Sequence, residues 1–427
     1  PGRATQSALA SRGLDGGCSS DQSGADMAVT EQSVRSPSSN RSRFARLFYD
    51  ATIRAIFLQV LTATLVIGLL AWLIYNTMVN MQERNLSAGF GFLDVSAGFG
   101  ISFTLIPYQE GDTYLRVFFV GVLNTLLVAV VSIILATVVG LIVGLARLSK
   151  NWIISRIARV YVELLRNTPL LLQIIAWFFG VFNLLPRPRD SVVLADSFVL
   201  NNRGFYMPAP IPEAGFGLVL AAFVVSVLGA VAIYRWEAAR RDRTGQAFPA
   251  ISTGIAIIIL VPLIVHLAAG SPLSWDMPVL QGFNFVGGMS VPPSFCALVV
   301  ALSAYTSCFI AEIVRSGIQS VSKGQLEAAG ALNLPGNWTL RRVVLPQALR
   351  VIIPPLISQY LNVVKNSSLA IAIGFPDLVS VWMNTSLNQS GRAIPIVAMT
   401  MAFYCLVSLS VSLAMNRYNR SVQIKER

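Results

Sequence analysis

The sequence predicts an all-α fold, a polytopic bundle of about eight transmembrane helices with both termini on one side of the membrane. The first observation is composition, since 54% of the 427 residues are hydrophobic and 12% are charged, about half the charge of an average soluble domain. The second is that apolar stretches of about 18 residues or more recur along the chain, each long enough to span a bilayer. The third is an uneven distribution of Lys and Arg between the segments that join these stretches.

Eight apolar stretches are predicted to cross the membrane. They lie at about 55–78, 117–145, 167–185, 216–234, 250–269, 293–313, 351–374 and 394–415. The first has a group of arginines before it and no cleavable signal peptide of the usual form, so we expect an uncleaved anchor with its N-terminus inside. The seventh is interrupted by two prolines and by Lys365 and Asn366.

The connecting segments assign the two sides of the membrane. With eight spans, 25 of the 32 Lys and Arg residues fall on the side of the termini, six fall on the opposite side, and Lys365 lies within a span. Basic residues are enriched in cytoplasmic loops, so we expect both termini in the cytoplasm. The same asymmetry explains the net charge of +12 without nucleic acid as a partner.

Polar and apolar segments divide the chain into six regions. They are a disordered cytoplasmic N-terminal segment (1–45), a first transmembrane helix with an outer loop (46–116), a first core part (117–185), an insertion with an outer loop and two extra spans (186–290), a second core part (291–420) and a cytoplasmic tail (421–427). Because Met27 looks like a natural start, we expect residues 1–26 to be an upstream extension. The outer segments 79–116 and 186–215 are too short for independent domains, and we expect short interfacial helices or a docking surface there.

Residue counts exclude several kinds of chemistry. The single histidine, His266, lies in an apolar stretch and the four cysteines show no CxxC spacing, so neither a multi-histidine metal site nor a disulfide framework is expected. None of the lysines follows a glycine, which excludes a phosphate-binding P-loop. We therefore expect no metal and no cofactor, and any ATP that powers this protein must bind to another chain.

The segment 314–350 carries the most informative local pattern. Ser322, followed three residues later by Gln325, fits a capping box that opens a short helix. Leu326, Ala329 and Leu332 then fall on one face at helical spacing. This pattern predicts a short amphipathic helix between the sixth and seventh spans.

The same segment predicts where that helix ends. Asn333 stands where a residue with positive φ would end the helix, and Pro335 stops it. A second short helix is expected to run to about Leu345, before Pro346. A span would thus lead into a compact two-helix cytoplasmic element and then into the next span, a geometry suited to transmitting motion from a cytoplasmic partner.

A longer motif runs through the segment: Glu327-Ala328-Ala329, then Asn333, then Val343-x-Leu345-Pro346. Its spacing resembles the EAA signature of ATP-binding-cassette importer permeases, with Asn333 in place of glycine and Val343 in place of isoleucine. Asparagine is the next-best residue at positive φ. The resemblance implies that this loop is the coupling helix that docks into a groove of the ATPase subunit, and it assigns that role to Glu327, Ala328, Ala329, Leu332, Asn333 and Pro346.

Other motifs resemble the polar amino acid permease family (histidine/glutamine type) within that class. They are Gly121-x-x-Asn124-Thr125, Arg147-Leu-Ser, Glu163-Leu-Leu-Arg166-Asn-Thr168-Pro169-Leu-Leu-Leu-Gln173, Ala311-Glu312-Ile-Val-Arg315-Ser-Gly317-Ile and Lys365-Asn-Ser-Ser-Leu369-Ala. The resemblance implies a type I importer permease core over roughly 117–185 and 290–420. The insertion resembles that of the larger permease subunit of broad-specificity L-amino acid importers, a group that includes glutamate/glutamine/aspartate/asparagine importers.

Two groups of residues are candidates for the transport pathway or its gate. Arg166, Thr168 and Pro169 lie where a proline breaks a helix at a membrane entrance, and a simple capping turn is an equal interpretation. Lys365, Asn366 and Ser367 lie in the proline-interrupted span, where a lysine is costly unless it is paired or faces water. Its charge suits an amino acid carboxylate in the pathway, or a protein carboxylate near the cytoplasmic end.

The resemblance implies a permease subunit of an ATP-driven importer of L-amino acids in the bacterial inner membrane. It also implies three partners: a second permease subunit in a heterodimer, a dimer of ATP-binding subunits, and a periplasmic amino acid-binding protein. Two alternatives stay open. One is a secondary amino acid carrier, and the other is a non-transporting membrane adaptor that recruits a cytoplasmic partner through 314–350.

Overall fold

The computed structural model describes residues 51–83, 89–195, 197–245 and 248–422. The chain divides into two compact units, residues 1–80 and 81–427. The predicted disordered segment 1–45, with the proposed extension inside it, lies outside the described residues, as do the last five residues of the predicted tail. The described part of the first unit belongs to helix α1 (Ala51–Glu83), which has no buried residue along its 33 residues and therefore suits contact with lipid.

The second unit is built mainly from helices. They are α2 (Tyr114–Arg147), α3 (Trp152–Arg166), α4 (Leu170–Gly180), α5 (Phe216–Thr244), α6 (Ala250–Ala268), α7 (Pro293–Gln319), α8 (Lys323–Ala331), α9 (Gly336–Thr339), α10 (Leu345–Asn366), α11 (Leu387–Ser390) and α12 (Ala393–Val422). Helix α7 lies at the centre, where α2, α3, α4 and α10 all pack against it. Two π-helical segments, Leu340–Val344 and Leu378–Ser386, precede α10 and α11.

Six of the described helices are long and apolar enough to cross a membrane: α1, α2, α5, α6, α7 and α12. Helices α3 and α4 add a seventh crossing if they count as one broken span, because they are bent by 101° at the break between them. The predicted third span, 167–185, therefore holds a helix of only 11 residues. The predicted seventh, 351–374, is α10 followed by a 3-10 segment, Ser367–Ile373, and it is not among the six. A proline explains the first difference, because Pro169 separates α3 from α4. In the second case α10 runs unbroken through Pro354 and Pro355 and ends at Asn366, so the expected interruption by these prolines is wrong.

Two of the predicted outer regions contain β-strands, so the all-α prediction is wrong there. The strands are β1 (Val192–Leu194), β2 (Phe198–Asn201), β3 (Gly204–Met207), β4 (Ala209–Pro212), β5 (Leu273–Asp276), β6 (Val279–Gln281), β7 (Asn284–Val286) and β8 (Met289–Val291). They form an antiparallel sheet in the order β1-β2-β3-β8 and two further pairs, β4-β5 and β6-β7. Segment 186–215 thus forms strands instead of interfacial helices. It pairs with strands that follow α5 and α6 in the sequence. The strands of 192–212 and 273–291 thus build one structure, here called the β cap.

Helices α5 and α6 form the rest of the insertion. They pack against each other, and a Cβ atom on Gly254 of α6 would lie 3.2 Å from the side chain of Ala230 on α5. Both helices expose many large apolar side chains, as expected of helices that face lipid. Helices α5 and α6 are therefore a helical hairpin that joins the two halves of the β cap.

The glycine- and aromatic-rich segment after α1 folds onto the helical core. Among its described residues, the helical piece is a 3-10 turn, Phe90–Asp94, where short interfacial helices or a docking surface were predicted. Phe92 is buried, and its ring stacks on Trp382 with 5.9 Å between centroids and contacts Tyr114 at 5.7 Å. The aromatic residues of this segment thus serve the packing of α2 against the π-helical segment Leu378–Ser386.

Candidate functional site

The EAA element, residues 320–344, begins with α8. Ser322 is the N-cap of α8 as predicted, with extended φ and ψ of −62° and 142°, but its side chain makes no capping hydrogen bond. The amide of Gln347 on α10 donates to Oε1 of Gln325 over 3.4 Å. The capping-box prediction is therefore wrong, because Gln325 reaches toward α10 instead of back to the N-cap.

The C-terminal end of α8 is a tight turn around Asn333. Asn333 has φ of +52°, its N–H donates to the carbonyl of Gly330 at 2.9 Å, and the N–H of Leu334 donates to the carbonyl of Ala329 at 3.1 Å. These two bonds are those of a Schellman motif, which satisfies carbonyl groups left open at a helix end. The predicted left-handed conformation of Asn333 is thus confirmed, and the turn that a glycine would form is complete with asparagine.

The second half of the EAA element does not end before Pro346. Helix α9 continues through the π-helical segment Leu340–Val344 directly into α10, where Pro346 lies in the first turn. The turn directly before the proline is a π turn, which is wider than an α turn. The EAA element therefore joins α10 without a break, although a separate short helix was predicted.

The EAA element exposes most of the residues assigned to coupling. Glu327, Ala328, Asn333 and Pro346 are exposed, and Leu332 is 74% exposed. Other large apolar side chains on the element are exposed too: Leu326, Leu334, Trp338 and Leu340. Apolar side chains concentrated on an exposed element mark an interaction surface.

Ala329 is different, because it is 3% exposed. The predicted apolar face of α8 is therefore divided, since Leu326 and Leu332 face away from the chain while Ala329 packs against it. Ala329 is therefore on the side of α8 that faces the rest of the chain.

Small residues bring α2, α7 and α10 into close contact beside the EAA element. A Cβ atom on Gly140 would lie 2.6 Å from Ile310, and one on Gly144 would lie 3.0 Å from Val314. The packing role expected of Gly140-x-x-x-Gly144 is confirmed. Buried apolar residues of the EAA element and of α10 belong to the same cluster as Ile310 and Val314: Val321, Val344, Ala348 and Ile352.

Glu312 on α7 forms an ion-pair cluster at the same end of the bundle. Its carboxylate pairs with Arg147 at the end of α2 and, at 2.7 Å, with Arg315 of α7. Arg315 also donates to Gln319 at 2.8 Å. The sequence pattern contained these residues in two separate motifs but gave no reason to place them together. The cluster ties α2 to α7 about two turns before the EAA element begins.

The predicted helix break at Arg166, Thr168 and Pro169 is present. Helix α3 ends at Arg166 and Pro169 is the N-cap of α4. The Thr168 hydroxyl donates to the carbonyl of Leu164 at 2.8 Å, and the buried amide of Gln173 donates to Leu165 and Thr168 carbonyls at 2.8 and 3.1 Å. The break is thus a capped turn whose freed carbonyls are satisfied locally. Arg166 adds a cation–π contact, 5.6 Å from the ring centroid of Phe309.

Lys365, Asn366 and Ser367 lie at the change from α10 to the 3-10 segment. Lys365 is exposed, and it forms no ion pair with any carboxylate in the described ranges. The described residues therefore do not supply the protein carboxylate that one interpretation of Lys365 expects. Ser367 is buried and donates to the carbonyl of Val364 at 2.8 Å. The three residues are consecutive but differ in environment, with one exposed, one intermediate and one buried.

A buried polar network links α2 to residues 375–378. The Asn124 amide donates to the carbonyls of Pro376 at 2.8 Å and Phe103 at 2.9 Å, and Thr125 Oγ1 accepts from the N–H of Leu378 at 3.0 Å. Gly121 allows this approach, since a Cβ there would lie 2.9 Å from the Cα of Leu378. The sequence contained Gly121-x-x-Asn124-Thr125 as a motif without a role, and the structure assigns it to joining the two halves of the core.

The chain is similar in sequence to known proteins over most of its length. Residues 226–424 match the family described as binding-protein-dependent transport system inner membrane component. The chain is 50% identical to an amino-acid ABC transporter permease protein of Escherichia coli strain K12, over 89% of this chain and 97% of that protein. It is 50% identical to the general L-amino acid transport system permease protein of Rhizobium johnstonii, over 90% of this chain and 96% of that protein. The identity is 40% to the glutamate/glutamine/aspartate/asparagine transport system permease protein of Rhodobacter capsulatus, over 90% of this chain and 97% of that protein.

Proposed function

Because this chain belongs to the family of amino-acid ABC transporter permeases, we propose that it forms part of the membrane pathway of an importer for a broad range of L-amino acids. Members of the family are membrane permeases, and the permease subunit itself is not catalytic. The observation that carries the proposal is the EAA motif, which is folded as an exposed element held between two helices of the bundle. Neither the secondary carrier nor the adaptor is favoured, because the relatives are ABC transporter permeases over nearly their whole length.

We propose a topology of eight crossings with both termini in the cytoplasm of a bacterial inner membrane. Six crossings are the long apolar helices, and the broken pair α3–α4 supplies another. The eighth is α10 with its 3-10 continuation, which together run from Leu345 to Ile373 and carry the chain back from the EAA element. The charge asymmetry of the connecting segments supports this orientation.

The EAA element would dock on an ATP-binding partner in this arrangement. Glu327, Ala328, Leu332, Asn333 and Pro346 are exposed and suited to direct contact, while Ala329 supports α8 from behind. Helices α7 and α10 flank the element and pack against each other, so a displacement of the element reaches both. The ATP-binding subunits, a second permease subunit and a periplasmic amino acid-binding protein complete the proposed importer.

The two groups of pathway candidates have different proposed roles, one in positioning the gate and one in contact with the substrate. Arg166, Thr168 and Pro169 hold the break between α3 and α4, so they would position the gate rather than contact the substrate. Lys365 is exposed and unpaired within the described ranges, which leaves its charge available to a carboxylate in the pathway. Asn366 and Ser367 lie beside it at the end of α10.

Reconstituted transport tests the proposal directly. The chain is placed in proteoliposomes with its second permease and ATPase subunits, and uptake of labelled amino acids is followed with the binding protein outside. Uptake is expected only with ATP inside and binding protein outside. Uptake by the purified chain on an ion gradient alone would instead establish the secondary carrier.

A further inference from the structure

The β cap holds a cleft in which three arginines converge. The cleft has a volume of about 350 Å³ and is lined by Arg187, Pro188, Arg189, Asp190, Asn202, Arg203 and Phe283. The three arginines are exposed, and none forms an ion pair with a carboxylate in the described ranges. With Asp190 as the single acidic lining residue, the cleft carries an excess of positive charge.

The location of these arginines runs against the charge pattern of the rest of the chain. In the proposed topology, six basic residues lie on the outer side, and three of them are the arginines of this cleft. Short translocated segments are normally depleted of Lys and Arg. Topology therefore does not account for this cluster, and a function in recognition does.

The framework beneath the arginines is fixed by hydrogen bonds that do not involve the guanidinium groups. The N–H of Asn202 donates to the carbonyl of Pro186 at 3.0 Å, and the N–H of Arg203 donates to Asn201 Oδ1 at 2.9 Å. Ser191 donates to the carbonyl of Pro188 at 2.7 Å and accepts from the fully buried Asn201 at 3.1 Å. Two chain segments are thus locked together, so the charges are presented on a preorganised surface.

A third segment adds an apolar wall. Phe283 occupies the tip of the β6–β7 hairpin, is 72% exposed, and lies 4.7 Å from the guanidinium carbon of Arg189, measured to the ring centroid. Arginine and aromatic side chains are enriched where protein partners make their strongest contacts. The volume fits one or two side chains of a partner rather than a whole element.

We propose that this cleft is the docking site for an acidic surface loop of the periplasmic substrate-binding protein, with Asp or Glu side chains of that loop entering between the three arginines. This inference rests on the proposed function, since it requires a binding protein on the outer side. Charge complementarity guides docking and raises the association rate, and its effect weakens as salt screens the charges.

The test uses the complete transporter in nanodiscs made of neutral lipid. The affinity of the binding protein is measured at low and high salt for the wild type and for a triple variant, Arg187→Gln, Arg189→Gln and Arg203→Gln. At low salt the triple variant is expected to bind on the order of tenfold more weakly and to lose most of the salt dependence. A triple Arg→Lys variant keeps the charges and is expected to keep most of that salt dependence.

Two controls separate this inference from other causes. Arg243→Gln removes an exposed charge from the end of α5, on the opposite side in the proposed topology, and is expected to leave binding-protein affinity unchanged. Basal ATPase activity of every variant shows whether the transporter is assembled. An unchanged affinity and salt dependence in the triple glutamine variant would overturn the inference, as would an effect that appears only when anionic lipid is added. Wild-type uptake that needs ATP and the binding protein keeps the proposed function intact even then.

Discussion

Gly317 of α7 and Ile352 of α10 lie so close together that a Cβ atom on Gly317 would be 2.3 Å from Cγ1 of Ile352. These two helices enter and leave the EAA element. Their contact therefore sets the spacing of the two ends of the element, and it lies within the buried apolar cluster that includes Val344 and Ala348.

Replacing Gly317 by alanine is expected to force α7 and α10 apart. The cost is about 1–3 kcal/mol, as for overpacking of a filled core, and uptake should fall with it. Thermal unfolding of the purified protein and ATP-dependent uptake are measured in parallel. Gly229→Ala on α5 is the control, since nothing lies within 4 Å of a Cβ there. Adding Ile352→Ala to Gly317→Ala should restore part of the lost stability, and a double variant no better than the single one would contradict the contact.

Leu332→Asp is expected to disrupt assembly with the ATP-binding subunits while the chain still inserts and folds. Leu332 is 74% exposed, so the substitution leaves the interior intact, yet it places a charge on the proposed docking surface. Co-purification with the ATPase subunit should fall about tenfold or more, as for loss of a central interface residue. Full co-purification and uptake in this variant would remove Leu332 from the coupling surface.

Ala329→Asp changes a buried residue of the EAA element, whereas Leu332→Asp changes an exposed one. Ala329 is buried, so the introduced carboxylate lacks water and a partner, and we expect a lower unfolding temperature and reduced insertion as well as lost assembly. If the Ala329→Asp and Leu332→Asp variants are equally stable, the expected difference between a buried and an exposed position is wrong.

Asn333 offers a test of backbone conformation alone. With φ at +52°, glycine at this position is expected to be neutral or slightly stabilising, whereas valine should cost about 1–2 kcal/mol because a β-branched side chain resists the left-handed region. The readouts are thermal stability and co-purification with the ATPase subunit. Equal behaviour of the glycine and valine variants would show that the turn is not needed.

Asn124→Ala should destabilise the join between the two halves of the core. The buried amide donates to two backbone carbonyls, and leaving such groups unpaired costs about 1–3 kcal/mol. Asn388→Ala is the matched control, because that amide is exposed and, within the described part of the chain, donates to the side chain of Asn384. If both variants unfold at the same temperature, the network around Asn124 does not stabilise the fold.

Local chemistry made part of this fold predictable. Long apolar stretches located six long apolar helices, a proline located the break before α4, and the preference of asparagine for positive φ located the end of α8. Each of these depends on residues close together in sequence. The capping box at Ser322 failed because a distant residue, Gln347, took the side chain of Gln325 as its partner.

The parts that were missed depend on contacts between distant segments. Strands of three or four residues give almost no periodicity, and β3 pairs with β8 across the whole α5–α6 hairpin, so the β cap was not expected. The cluster around Glu312 and the network around Asn124 likewise join separate helices. Their residues stood in recognisable motifs, but only the packed structure shows which groups meet.

The insertion begins and ends at one place. Pro186 is hydrogen-bonded to Asn202 in the β2–β3 turn, and Val291 pairs with Phe205 of the same hairpin. Because its entry and exit meet, the whole stretch between them is a module whose removal would leave only a short gap to close. Engineered exchange of that module between relatives is therefore expected to leave the path of the core chain unaltered.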